Sequence, residues 1–145
     1  MRISALSPAK NSAAREVIPI RVLVVDDEPL IQWSVCTALS AAGFDAVAAR
    51  GAEEARRCAA EWPPPKVVVL DIHPDGGGRE LMTDIRKIYP DCRFLVMSTA
   101  RRSGNAWPQT NGVQAVEKPF DLADVVAQVV RLVDQAVQQG PLQTD

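Results

Sequence analysis

Five side chains suited to one reaction stand at the ends of short apolar runs. Asp26 and Asp27 follow Val22-Leu23-Val24-Val25, and Asp71 follows Val67-Val68-Val69-Leu70. Thr99 comes after Phe94-Leu95-Val96-Met97 and Ser98, and Lys118 comes just after the run Val113 to Val116. Three carboxylates drawn together repel one another strongly. An oxygen-seeking divalent cation offsets that repulsion, and Mg2+ suits a site with few carboxylates and several retained waters. Lys118 adds a mobile positive charge. A carboxylate held beside a cation can attack a phosphoryl group and form an acyl phosphate. Metal, lysine and hydroxyl together can stabilise the charge on the transferred group. Brought to one place, these residues could carry out metal-assisted phosphoryl transfer.

The elements between them decide whether they meet. The apolar runs are short, rich in β-branched residues and free of polar alternation, which is the pattern of strands buried on both faces. Helical periods lie between them. Ile31, Val35 and Leu39 recur at intervals of four and end at Gly43, a C-terminal helix signal. A weaker strand follows, Asp45 to Ala49. Ala52, Ala55 and Ala59 mark a second helix that stops before Pro63-Pro64-Pro65. Gly76-Gly77-Gly78 breaks the chain before a helix from about Arg79 to Ile88. Arg101 to Asn111 contains Gly104, Pro108 and few periodic apolar residues, so a short or irregular helix is expected there. Asp121 is placed as the N-cap of a last helix. The stripe of that helix is Leu122, Val125, Val126, Val129, Val130, Val133 and Val137.

Strands alternating with helices predict an α/β, doubly wound, five-stranded parallel sheet covered on both faces. Sites in such sheets form beyond the carboxyl ends of the strands. Asp26, Asp27, Asp71, Thr99 and Lys118 all belong to that edge.

Composition narrows the function classes. A chain of 145 residues, 47% hydrophobic, is one domain with one sizeable core. The division read from the sequence is a disordered arm over 1–18, a domain over 19–139 and a frayed tail over 140–145. A formal net charge of −2 supplies no basic field for nucleic acid. No apolar run reaches the ~20 residues of a bilayer span. The N-terminal stretch lacks the apolar core of a secretory signal. Cys36, Cys58 and Cys92 form no disulfide or zinc pattern and read as small packing residues in a reducing compartment. The glycine triplet lacks the lysine and hydroxyl of a phosphate-binding loop. His73, the only histidine, reads as an exposed loop residue. Trp107 beside Pro108 reads either as a partner-binding anchor or as a packing residue.

Four segments resemble the receiver domains of two-component response regulators, the CheY-like family. Val22-Leu23-Val24-Val25-Asp26-Asp27-Glu28-Pro29 is similar to the opening motif of the family. Val68-Val69-Leu70-Asp71-Ile72 is similar to the strand bearing its phosphorylated aspartate. Met97-Ser98-Thr99-Ala100 resembles its hydroxyl-Ala step, and Glu117-Lys118-Pro119-Phe120 its Lys-Pro-Phe motif. They occur in family order between about Arg21 and Val137.

The resemblance implies a flavodoxin-like strand order 2-1-3-4-5. It also implies phosphorylation of Asp71 by a sensor histidine kinase or phosphotransfer protein. Mg2+ would be held by Asp26, Asp27 and Asp71, with the backbone carbonyl of His73 as a further ligand. Thr99 would bond the phosphoryl group and Lys118 would pair with it. A cis Lys118-Pro119 peptide is implied as well.

The chain departs from the family in two ways. Pro74 stands three residues after Asp71, where the family usually places it four after, so that loop is one residue short. Ala115, three before Lys118, takes the place of the aromatic switch residue of many members, so signalling would run through backbone rearrangement between Thr99 and Asn111.

The expected function is a cytoplasmic, single-domain receiver that signals to a partner protein. It would not be an enzyme beyond self-catalysed phosphoryl transfer and autodephosphorylation. A homodimer is a candidate assembly; direct nucleic-acid or membrane contact is not expected. The alternatives are a receiver-fold interaction module regulated without phosphate, and the receiver segment of a hybrid kinase. A metal-dependent phosphatase is disfavoured, because no second acid/base beyond His73 and no cap segment is present.

Overall fold

Consecutive apolar residues in a strand can all be buried only when both faces of the sheet are covered. The computed structural model, which describes residues 19–71, 77–98 and 112–139, meets that condition. Its strands are β1 (Arg21–Val25), β2 (Asp45–Ala49), β3 (Val67–Asp71), β4 (Arg93–Ser98) and β5 (Val113–Glu117). They form one sheet in the order β2-β1-β3-β4-β5, every pair parallel. This is the strand order that the resemblance implied.

The described helices are α1 (Pro29–Ala41), α2 (Ala52–Ala59), α3 (Gly78–Ile88) and α4 (Leu122–Gln139). The third begins one residue before the expected Arg79. The expected arm over 1–18, the short loop after Asp71, the irregular helix over 101–111, Trp107 and the tail over 140–145 lie outside the described residues.

Alternation along the strands builds two cores. Leu23, Val25, Val68, Leu70, Phe94 and Val96 pack on one face against Ala55 and Ala59 of α2 and Leu81 and Ile85 of α3. Val22, Val24, Val67, Val69, Leu95 and Met97 pack on the other against Val35 and Leu39 of α1 and the α4 stripe through Val125, Val129 and Val133. Each of these Val, Leu, Ile, Phe and Met side chains contributes about 1.5–3 kcal/mol when buried, and the alanines contribute less. β2 is an edge strand and mostly half-buried, which explains its weak apolar pattern. An ion pair between Arg21 Nη2 and Asp45 Oδ2, 2.8 Å, ties its start to β1.

Local signals account for the helix ends. Pro29 opens α1, where its missing N–H costs nothing. At the other end Gly43 adopts φ +100°. The Gly43 N–H donates to the Ser40 carbonyl at 3.0 Å and the Phe44 N–H to the Leu39 carbonyl at 3.1 Å. This double bond pattern is the Schellman motif. The Asp121 carbonyl accepts from the Asp124 and Val125 N–H groups at 3.0 and 3.1 Å, so Asp121 sits where α4 starts. The Lys118–Pro119 peptide is cis, as the resemblance implied, and so is Trp62–Pro63. The three cysteines are free thiols, and burial pushes Cys92 up to about 12.

An L side chain at the positive φ of Gly43 is strained. Gly43→Ala is expected to lower the unfolding free energy by about 1–2 kcal/mol. The shift should appear in the urea midpoint, with an unchanged far-UV spectrum.

Candidate functional site

The sheet register sets the site. Val25 pairs with Ala49 and Leu70, Asp71 with Met97, and Ser98 with Glu117. The residues at or just beyond these pairs form one edge, on which Asp26, Arg50, Asp71 and Lys118 stand. Asp26 continues the ladder past β1, since its N–H donates to the Ala49 carbonyl at 3.0 Å. The Lys118 N–H donates to the Ser98 carbonyl at 3.0 Å and so fastens that residue to the end of β4.

The paired aspartates divide. The Asp26 side chain is 0% exposed, while Asp27 faces solvent. Asp26 Oδ1 accepts from the Glu28 N–H at 2.9 Å, closing a turn that leads into α1. Asp71, the last residue of β3, has a side chain only 4% exposed. One carboxylate oxygen from each of Asp26, Asp27 and Asp71 lies within 4.8 Å of the others.

Lys118 Nζ lies 3.0 Å from Asp71 Oδ1, 3.6 Å from Glu28 Oε1 and 3.8 Å from Asp26 Oδ2. Burial works against its charge, but the Asp71 hydrogen bond and the charges of Asp71, Asp26 and Glu28 outweigh that, and its pKa is raised. The stability this carries is full below 10.5 and is lost only as pH rises through the higher folded value.

The balance at Asp26 is the reverse. Burial raises its carboxyl above 3.8, and the Asp71 charge adds to the rise. The Glu28 N–H and Lys118 oppose the rise without cancelling it. Two unit charges about 4.8 Å apart repel by about 3–4 kcal/mol at an effective dielectric of ~20. Among the described residues, the buried Asp26 Oδ2 accepts no hydrogen bond. A buried oxygen that lacks a hydrogen bond, beside two further carboxylates, is a hard-donor set that fits Mg2+.

Three residues around this edge were not singled out from the sequence. Gln32 Nε2 donates to the carbonyls of both Asp26 and Ala49, each at 3.1 Å, and clamps β1 to β2 beside the acids. Glu28 shares Lys118 with the aspartates. Arg50 follows the end of β2 and, with Asp26, Asp27 and Asp71, lines a cavity of about 200 Å³. The rule that pointed to the other strand ends applies to Arg50 equally. Thr99 and His73 lie outside the described residues. Ala115 is half-buried on β5 opposite Val96 and brings no ring to the site.

Comparison with known proteins agrees with this fold. The family model described as response regulator receiver domain matches residues 22–130. The transcriptional regulatory protein TrcR of Mycobacterium tuberculosis is 35% identical over 143 residues, covering 88% of this chain and 54% of that protein. The DNA-binding transcriptional regulator NtrC of Azospirillum brasilense is 28% identical over 126 residues, covering 86% of this chain and 26% of that protein. This chain thus spans about half, or a quarter, of the length of these relatives. A CheY-like receiver domain protein of Methanospirillum hungatei superimposes with a TM-score of 0.69 at 24% identity, over 85% of this chain and all of that one.

Because the folded state raises the Asp26 pKa, it favours the neutral carboxyl. The associated stability is present at low pH and is lost as pH rises from 3.8 through the raised folded value. At neutral pH Asp26 therefore costs stability. In chelator, Asp26→Asn is expected to raise Tm at pH 7, and the gain over the wild type should shrink as pH falls below 3.8, when read by thermal melting.

Proposed function

The chain belongs to the response regulator receiver domain family of two-component signalling, and from that premise we propose that it is a phosphorylation switch with Asp71 as the acceptor. The observation that carries the reading is the placement of Lys118 Nζ 3.0 Å from Asp71 Oδ1, beside three carboxylates that share one edge. A scaffold gains no stability from that arrangement, since Asp26 alone is already penalised.

In this reading Asp26, Asp27 and Asp71 would hold one Mg2+, with the His73 carbonyl as a further ligand. The ion would offset the charge of the transferred phosphoryl group and of the three carboxylates. The protein's own residues do the rest. Buried Asp71 presents its carboxylate oxygen as nucleophile toward phosphohistidine on a histidine kinase or phosphotransfer protein. Lys118 pairs with the phosphoryl oxygens that result, and the raised Lys118 pKa keeps it charged. Thr99 supplies a hydroxyl donor. Gln32 keeps the ends of β1 and β2 together, so that Asp26 keeps its position when charge arrives.

The chain is a signalling domain, with self-catalysed transfer and autodephosphorylation as its chemistry. Its switched surface acts on a partner protein or, in a hybrid kinase, on another segment of the same chain; a second copy of the receiver is another candidate partner. Among the described residues no helix is long and apolar enough to cross a membrane, in keeping with a cytoplasmic site of action. With a formal net charge of −2, we assign no direct nucleic-acid contact to this chain. One observation favours a second reading, an interaction module regulated without phosphate: Ala115 lacks the aromatic ring through which many receivers relay phosphorylation.

Incubation with Mg2+ and phosphoramidate, followed by intact mass measurement, separates the two readings. The expected result is one phosphoryl adduct on the wild type and none on Asp71→Asn or in chelator. No adduct on the wild type would leave the phosphate-independent module as the better account.

A further inference from the structure

Lys118 is not among the residues that line the cavity beside the acids. Lys118 belongs to the end of β5, whereas the cavity opens between β1, β3, α2 and α3, over a floor that includes Leu70, Ala52 and Leu81. Its volume of about 200 Å³ suits a ligand of few heavy atoms and is below the roughly 300 Å³ at which drug-sized pockets begin. Among the described residues lining it, Arg50 is the one cation.

Arg50 is held there by backbone. The carbonyl of its predecessor Ala49 accepts from the Asp26 N–H and from Gln32, and the Arg50 N–H donates to Glu54 Oε1 at 2.8 Å. The side chain is 81% exposed, and its Nε lies 3.8 Å from Glu54 Oε1. An exposed pair of that length holds an arginine only weakly. The guanidinium thus has a fixed root at the mouth of the cavity and a head that can turn to a ligand.

We propose that Arg50 is a positioning residue that binds a small dianionic acyl phosphate in this cavity and so makes such donors effective at Asp71. The inference rests on the reading of Asp71 as phosphoacceptor. The paired N–H donors of the guanidinium match two oxygens of a phosphoryl or carboxyl group. The apolar floor takes the alkyl end of the donor. With acetyl phosphate, an Asp71 carboxylate oxygen bonds to phosphorus. The bond from phosphorus to the acetyl oxygen breaks, that oxygen keeps the electron pair, and acetate leaves. Asp71 then carries the acyl phosphate, and no proton is consumed. Arg50 touches the donor and takes no part in bond making.

The test follows adduct formation by intact mass against donor concentration at saturating Mg2+, for wild type, Arg50→Gln and Arg50→Lys. Acetyl phosphate, a dianion, is compared with phosphoramidate, a monoanion. Arg50→Gln is expected to raise KM for acetyl phosphate about fivefold with kcat unchanged. Arg50→Lys should recover part of that rise, phosphoramidate should be affected less, and Tm should not move. Equal KM values, an equal loss with both donors, or a loss confined to kcat would overturn the role of Arg50 while leaving Asp71 as acceptor. No adduct on wild type with either donor would overturn the acceptor reading and this inference with it.

Discussion

The structure is organised around a repulsion. Asp26, Asp27 and Asp71 bring three carboxylates to one sheet edge, and two of them are withdrawn from water. Lys118 is the nearest counterweight, and it is divided among Asp71, Glu28 and Asp26 at 3.0, 3.6 and 3.8 Å. Lys118 and the exposed Arg50 against four carboxylates leave the edge short of cation among the described residues. The raised Asp26 pKa and its unbonded Oδ2 are two consequences of that shortage.

The rest of the fold makes the shortage tolerable by making the edge rigid. Buried strands set the register to the residue, so a shift of one position would turn every core side chain to the other face. The Asp26 and Lys118 N–H groups extend the ladder beyond β1 and β5, and Gln32 bridges β1 and β2. A site whose acids are held apart from their preferred solvation by the sheet is ready for an added cation and an added dianion. In the reading proposed above, the edge would serve phosphoryl transfer by preorganisation rather than by any strong contact of its own.

How far the sequence revealed this depends on the range of each interaction. Runs such as Val67-Val68-Val69-Leu70 are legible because burial on both faces leaves no alternation, and the α4 stripe because its period is local. Strand ends then locate Asp26, Asp71 and Lys118 without further information. Arg50 escaped notice because β2 is an edge strand with mostly half-buried residues, so its end carries a weak signal. Gln32 escaped because its two acceptors lie 6 and 17 residues away and belong to different strands. The unequal roles of Asp26 and Asp27 were also hidden: adjacent residues leave a strand in opposite directions, and only packing shows which one is buried.

If the edge takes a cation through all three carboxylates, loss of any one of them weakens Mg2+ binding. Isothermal titration of the wild type and Asp27→Ala with Mg2+ reads this, since Asp27 is exposed and lies outside both cores. One binding site is expected in the wild type and at least a tenfold loss of affinity in the variant, equivalent to about 1.4 kcal/mol. Equal Mg2+ affinity in the two proteins, or no binding in either, would contradict it.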